Sequence, residues 1–88
     1  MFKEINFFTN EKDLINQFLK LKKIIKKLYK ARIFLYEDEE EGYPENKFIV
    51  AEIQKQFPDG IIFIAISRNI DEIIRQIEDY INYTKPEL

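Results

Sequence analysis

The side chains that could carry chemistry in this 88-residue sequence are carboxylates, amines, hydroxyls and phenols, because it contains no His and no Cys. Without His, the chain lacks the side chain that titrates near neutral pH and serves as the usual general base. Without Cys, it lacks thiolate nucleophiles, thiolate zinc ligands and disulfides. These absences exclude Ser-His and Cys-His mechanisms, and they favour binding through charge over covalent catalysis.

Two further arrangements are the remaining candidates for catalysis. Ser67 has neither a His to activate it nor a glycine elbow, so we expect it to hydrogen-bond local backbone. Glu52, Lys55 and Asp59 are residue types used by metal-dependent nucleases, but their order does not suit a Pro-Asp followed by Glu-x-Lys, and an Asp after Pro is typical of a turn. We therefore predict that the protein is not an enzyme and has no catalytic, metal or cofactor site.

Acidic residues are concentrated in the segment Glu37–Glu45, which holds six acids and no bases. Alternate carboxylates followed by Gly42 resemble the start of an EF-hand calcium loop, but Phe48 stands where that loop needs a bidentate Glu. The simplest interpretation is a mobile, solvated loop between two strands, from Asp38 to Asn46.

A second interpretation of the acidic segment is a docking element. A dense run of carboxylates mimics nucleic acid and would enter the basic groove of a nuclease or another nucleic-acid-processing enzyme, with tyrosines as aromatic anchors. The residues predicted to bind such a partner are Glu37, Asp38, Glu39, Glu40, Glu41 and Tyr43.

Basic residues are concentrated just before the acidic segment, since Lys20–Arg32 holds seven bases and no acids. A solvated helix face explains them, and the alternative is a surface that binds nucleic acid. Lysines without arginine forks or interleaved aromatic rings favour weak attraction that is indifferent to sequence. The lysines that share one helical arc are Lys20, Lys23, Lys26, Lys27 and Lys30.

The strands that must position these charges follow from residue type and alternation. Phe2–Phe8 predicts a first short strand, and Ala31–Glu37, Lys47–Phe57 and Ile61–Ser67 predict three more. The sequence Pro58-Asp59-Gly60 predicts a tight turn, so the last two strands should form an antiparallel hairpin.

Two helices follow from apolar residues that recur every three or four positions. The first should run from about Glu11 to Lys30 with Asn10 as its cap, and the second should begin after Asn69, with Glu72 completing a capping box. Their apolar stripes are Leu14, Phe18, Leu21, Ile25 and Leu28 in the first helix, and Ile70, Ile73, Ile74, Ile77 and Ile81 in the second.

The predicted fold is a single α+β domain over residues 1–88, with the order β-α-β-β-β-α. The first helix would be a right-handed crossover between parallel strands, and both helices would cover one face of a four-stranded, mainly antiparallel sheet. The other face would stay apolar, so a second copy or another protein would cover it, or else the helices would flank the sheet; the first of these predicts a homodimer. The residues expected on that face are Phe34, Tyr36, Phe48, Val50 and one alternate set from Ile61 to Ile66.

Lys3 and Glu4 interrupt any secretory signal, and the longest uncharged run, Gly60–Ser67, is too short to span a bilayer, so we expect a cytoplasmic protein without membrane contact. The function expected from the sequence is a small protein-interaction module that inhibits a nucleic-acid-processing enzyme through the acidic segment. The alternative is a nucleic-acid-binding protein that uses the lysine arc.

Overall fold

The computed structural model describes residues 1–55 and 60–85. Within them, a 3-10 helix at Ile5–Phe7 precedes two α-helices and three strands, and the strands form one antiparallel sheet in the order β1-β2-β3. The elements are α1 (Lys12–Tyr29), β1 (Ala31–Glu40), β2 (Tyr43–Lys55), β3 (Gly60–Ser67) and α2 (Ile70–Thr84). The α+β class is confirmed, whereas the predicted four strands and their order are wrong, because the described order is α-β-β-β-α.

The predicted first strand, Phe2–Phe8, is the source of this error. Lys3 alone of this segment forms a β-bridge in the described structure, antiparallel to Leu35, and its N–H donates to the Leu35 carbonyl at 2.6 Å. The chain then turns through the 3-10 helix so that Ile5 enters the core, where 6% of it is exposed. The segment crosses the edge of β1 instead of running along it, so the parallel strand pair and the crossover are also wrong.

Both helices cover the same side of the sheet. Leu35, Ala51 and Ala65 lie side by side on the three strands, and all three are buried. α1 packs Phe18 and Ile25 against this side. The predicted isoleucine stripe of α2 is confirmed, because all of its members are buried: Ile70, Ile73, Ile74, Ile77 and Ile81.

The ends of α1 differ by one residue from the prediction. At its start the Thr9 hydroxyl, not Asn10, accepts a hydrogen bond from the N–H of Glu11 at 3.0 Å. At its end Lys30 adopts the left-handed conformation, with φ 54° and ψ 43°, and its N–H donates to the Ile25 carbonyl. This conformation ends the helix and lets β1 begin at the next residue.

The start of α2 lacks the predicted capping box. Asn69 holds the N-cap position, but within the described residues its side chain makes no capping hydrogen bond. Its N–H donates to the Ser67 hydroxyl at 3.2 Å, as expected for a serine that bonds local backbone. Glu72 instead pairs with Arg75 one turn further along the helix at 2.5 Å.

The predicted antiparallel hairpin of the last two strands is confirmed, because β2 pairs with β3 from Ile49↔Ser67 to Lys55↔Gly60. The register shifts between Ile53 and Gln54. Pro58 and Asp59 of the predicted turn, and positions 56–57 of the predicted third strand, lie outside the described residues.

Candidate interaction surfaces

The acidic segment is a β-hairpin, so the predicted loop Asp38–Asn46 is wrong. β1 continues to Glu40 and β2 begins at Tyr43, and Glu39 is paired across the strands with Lys47. Gly42, with φ 84°, occupies the turn, where a residue without Cβ adopts the left-handed region at no steric cost. We call residues 37–45 the acidic hairpin.

Local hydrogen bonds explain why a charged segment can remain in strands. The Lys3 ammonium lies 2.6 Å from Glu37, and it lowers the pKa of that carboxyl. Asn46 donates to Glu40 at 2.9 Å, and Asp38 accepts from the N–H of Glu39 at 2.8 Å. These contacts offset part of the mutual repulsion of the carboxylates.

The structure brings most of the predicted docking residues together at the tip of this hairpin. Glu39, Glu40 and Glu41 are exposed there, and 56% of Tyr43 is exposed beside them. Glu37 is held by Lys3, while Asp38 follows Phe34 and Tyr36 onto the side of the sheet that the helices leave uncovered, as strand alternation requires.

We call that uncovered side the open sheet face. The cross-strand register of β1, β2 and β3 places ten side chains on it. They are Arg32, Phe34, Tyr36, Asp38, Phe48, Val50, Glu52, Gln54, Ile64 and Ile66. Ile64 and Ile66 are 46% and 54% exposed, and the ring of Phe2 lies 4.5 Å from that of Phe34. The face is therefore largely apolar, with charges at its ends and one carboxylate near its centre.

The central carboxylate belongs to Glu52, and two side chains satisfy it. The Tyr36 hydroxyl donates to Oε2 at 2.5 Å, and the Gln54 amide donates to Oε1 at 2.8 Å. The hydrogen bond to Glu52, with burial and the negative charges of Glu52 and Asp38, raises the pKa of Tyr36 to about 12. Tyr36 therefore stays protonated as a donor across the neutral range.

The lysine arc of α1 borders a groove beside β1, which we call the cationic groove. Two adjoining hollows of about 730 and 660 Å³ share Lys23, Lys26, Ala31, Arg32 and Phe34 in their walls. The remaining cations that line one hollow or the other are Lys3, Lys22, Lys27, Lys30 and Lys55. Four of the five predicted lysines thus line the groove, and Lys20 does not line it.

The sequence interpretation missed the strand contribution to this groove. It expected no aromatic ring and no arginine beside the lysines, whereas Phe34 and Arg32 are wall residues, and Phe2 and Leu19 line the second hollow. The position of Arg32 could have indicated that an arginine lies near the lysines, because it follows the end of α1 by only three residues. Phe34 could not be found in this way, because its approach to α1 depends on the packing of the helix against β1.

The remaining candidates for catalysis do not converge. Glu52 lies on the open sheet face, Lys55 lines the cationic groove, and Asp59 lies outside the described residues. Across residues 1–55 and 60–85, no three acidic side chains are grouped so that they could hold a metal ion. In the same part of the chain, neither helix has the length and apolar character needed to cross a membrane.

Comparison with protein-family models, curated proteins and solved structures found no match for this chain. The described residues form three candidate interaction surfaces. These are the acidic hairpin, the open sheet face and the cationic groove.

Proposed function

We propose that the protein is a non-enzymatic interaction module whose acidic hairpin docks in the basic groove of a nucleic-acid-processing enzyme and inhibits it. The observation that carries the proposal is the exposure of Glu39, Glu40 and Glu41 together at the tip of a paired hairpin. A tip of this kind can enter a groove that accommodates nucleic acid, whereas a flat acidic surface cannot.

The spacing of the carboxylates supports nucleic-acid mimicry. Residues of an extended strand rise about 3.3 Å each, so the consecutive acids Glu37–Glu40 place one charge at about that interval. One strand of B-form DNA carries a phosphate charge every ~3.4 Å along its axis. Counted along the strand, Asp38, Glu39 and Glu40 therefore approach the linear charge density of one DNA strand, with alternate carboxylates on opposite sides of the hairpin and Glu37 paired with Lys3.

The rigidity of the hairpin supports docking as well. Pairing up to Glu39 and Lys47 has already removed much of the backbone freedom that a loop would lose on binding, so less free energy is spent on ordering; at the tip the register shifts, and Glu40 pairs with Tyr43. Tyr43 beside the tip offers an amphipathic ring, which is the kind of side chain that anchors protein interfaces. Charge steering should make association fast and sensitive to salt.

The test begins with a pull-down from the source cell, with the purified protein as bait. Association of the captured enzyme is then measured by stopped flow with the parent and with Glu39→Gln/Glu40→Gln/Glu41→Gln. We expect the triple variant to associate at least tenfold more slowly at low salt and to inhibit the enzyme less. A DNA substrate of that enzyme should compete with the parent.

The matched control removes three exposed charges from α2 by the changes Asp71→Asn, Glu78→Gln and Asp79→Asn. It alters net charge equally and should associate almost as fast as the parent. If the acidic hairpin variant binds its partner as tightly and as quickly as the parent, the hairpin is only a connection between strands and the proposal fails.

A second candidate function is sequence-independent binding of nucleic acid in the cationic groove. It is favoured by the presence of Phe34 and Arg32 among the lysines, because an aromatic ring can stack on a base while the cations hold the backbone. Binding of a labelled single-stranded 20-mer, measured by anisotropy, should be weak and fall steeply as salt rises.

This second test compares two variants, and each variant has four lysines replaced by Gln. Substitution at Lys23, Lys26, Lys27 and Lys30 should abolish binding, whereas substitution at the exposed Lys12, Lys20, Lys47 and Lys85 should leave most of it. Absence of binding by the parent at low salt would exclude the second candidate.

A further inference from the structure

The open sheet face carries exposed apolar side chains on β3 and beside β1. Ile64 and Ile66 are about half exposed on β3, and Phe2 is 52% exposed above β1, where its ring lies 5.9 Å from that of Tyr36. Phe34 and Phe48 lie on the same side of the sheet and are half-buried, whereas Val50 on this side is only 3% exposed. Exposed apolar side chains grouped on one side of a sheet are typical of an interaction site.

The charges on this face lie at opposite ends of one strand. Arg32 and Asp38 point to the same side of β1, and about 20 Å separates them along the strand at ~3.3 Å per residue. Between them lie Phe34 and Tyr36. A partner that matches the face therefore needs a carboxylate at one end, a cation at the other and apolar groups between, which is the pattern of the face itself in reverse.

We propose that the open sheet face binds a second copy of this chain, with the strands of the two copies running in opposite directions. The two-fold axis would cross the strands at the level of Leu35, Ala51 and Ala65, which are paired side by side in the register. Rotation about this axis places Arg32 of each copy opposite Asp38 of the other. Charge complementarity thus sets the orientation.

The same rotation brings most of the remaining apolar side chains of the face together, while Phe48 meets Gln54 of the second copy. The ring cluster of Phe2, Phe34 and Tyr36 meets the same cluster of the second copy. Ile64 meets Ile66 of the second copy, since Ile64 is paired with Glu52 and Ile66 with Val50. Glu52 therefore faces Val50 of the second copy and not a second carboxylate. Its two hydrogen bonds, from Tyr36 and Gln54, remain in place as it becomes buried.

The other way of stacking the two faces fits less well. With the strands running in the same direction, the axis would lie along β2, and β1 would cover β3 of the second copy. Arg32 would then lie against the Ile61 end of that strand, because Arg32, Gln54 and Ile61 share one row. Glu52 would lie on the axis against Glu52 of the second copy, and this contact between like charges is unfavourable.

The size of the face indicates a weak dimer. Three strands at about 4.8 Å and seven residues at about 3.3 Å cover roughly 14 by 23 Å, or about 320 Å² on each copy, and Phe2 widens this area. Such an area is smaller than that of stable dimers, so we expect a weak, reversible dimer that forms only towards the upper end of the micromolar range. The acidic tip at Glu39–Glu41 lies beyond the overlapping segment, so the dimer does not depend on the proposed enzyme partner.

The test is sedimentation equilibrium of the full chain between 1 and 300 µM. We expect the mean mass to rise from the 10.7 kDa of one chain towards twice that value. Ile66→Glu should shift the parent curve to a monomer, while Tyr83→Glu, at an exposed position on α2, should leave it unchanged. Circular dichroism verifies that both variants remain folded.

The orientation is tested by exchanging charges. Arg32→Glu and Asp38→Arg should each weaken the dimer about tenfold, because each brings like charges together, and the double variant should restore it. A monomer at every concentration, or a dimer indifferent to Ile66→Glu, overturns the proposal. A double variant no better than the single variants overturns the orientation.

Discussion

The Tyr36 hydroxyl donates a hydrogen bond to Oε2 of Glu52 from the neighbouring strand, at 2.5 Å. Glu52 is paired in register with Phe34, so the phenol reaches it diagonally across the sheet. This bond fixes the central carboxylate of an apolar face and leaves Gln54 to satisfy its other oxygen. Because of this bond, Tyr36 keeps its proton to a higher pH in the folded protein than in the unfolded chain.

The first prediction concerns stability at high pH. The pKa of Tyr36 is about 12 in the folded protein against the ordinary 10.0, so the folded state holds more protons between these values. The stabilisation that this proton provides should therefore be fully present below pH 10, and the free energy of unfolding should fall as the pH rises from 10 towards 12. In Tyr36→Phe, the free energy of unfolding measured with urea should be lower by ~1 kcal/mol at pH 7. It should also fall less steeply between pH 10 and 12 than it does in the parent.

The control for this measurement is Tyr83→Phe, since Tyr83 is 91% exposed. It should retain the stability and the pH dependence of the parent. An unchanged slope in Tyr36→Phe between pH 10 and 12 would show that the hydrogen bond to Glu52 does not hold the proton.

The second prediction is that substitution of lysine by glycine has opposite effects on stability at Lys30 and at Lys27. Lys30 has a positive φ of 54°, a strained conformation for a residue with a Cβ, so Lys30→Gly should stabilise the protein by ~1 kcal/mol. Lys27 lies within α1, where Lys27→Gly should destabilise by ~1 kcal/mol. Thermal unfolding of the two variants measures the difference, and equal signs would contradict the assigned helix end.

The third prediction compares two adjacent isoleucines of α1. Ile25 is fully buried whereas Ile24 is 36% exposed. Ile25→Ala should leave a cavity under the sheet and cost about 2–5 kcal/mol, whereas Ile24→Ala should cost less than about 1 kcal/mol. Denaturant unfolding provides both values, and similar losses would mean that α1 is rotated relative to the sheet.

The fourth prediction concerns the ion pair of Lys3 and Glu37. Lys3 lowers the pKa of Glu37, so this pair contributes stability above the ordinary carboxyl pKa, and the contribution is lost as pH falls through the lowered value. In Lys3→Gln, NMR titration should show a higher pKa for Glu37. Lys12→Gln, on the exposed start of α1, should leave that pKa in place.

The success of the sequence interpretation depended on periodicity. The isoleucine stripe of α2 repeats at 3.6 residues and is buried throughout, and the alternation of Phe34 and Tyr36 with Ile33 and Leu35 identified the open sheet face. Both patterns are local, because burial of one face of a helix or strand requires apolar residues at the period of that element. The hairpin of β2 and β3 followed from turn-forming residues in the same way.

The errors arose where contacts between distant segments decided the structure. Aromatic content indicated a strand at Phe2–Phe8, but burial of Ile5 turned the chain away from the edge of β1. Net charge indicated a loop after Glu37, because the pairing of Glu39 with Lys47 and the Lys3 ion pair are invisible in the local composition. The cationic groove was found only in part, since Phe34 joins it through the packing of α1.

The bridge between Lys3 and Leu35 sets an order of events during folding. The acidic hairpin closes over a turn of a few residues, whereas this bridge joins positions 32 apart, so loop closure delays it relative to the pairing of β1 with β2. The segment before the 3-10 helix is therefore among the last to dock. Until it does, the outer edge of β1 around Leu35 offers free N–H and carbonyl groups to any other extended chain, and the folding protein is most prone to edge-to-edge aggregation in that interval.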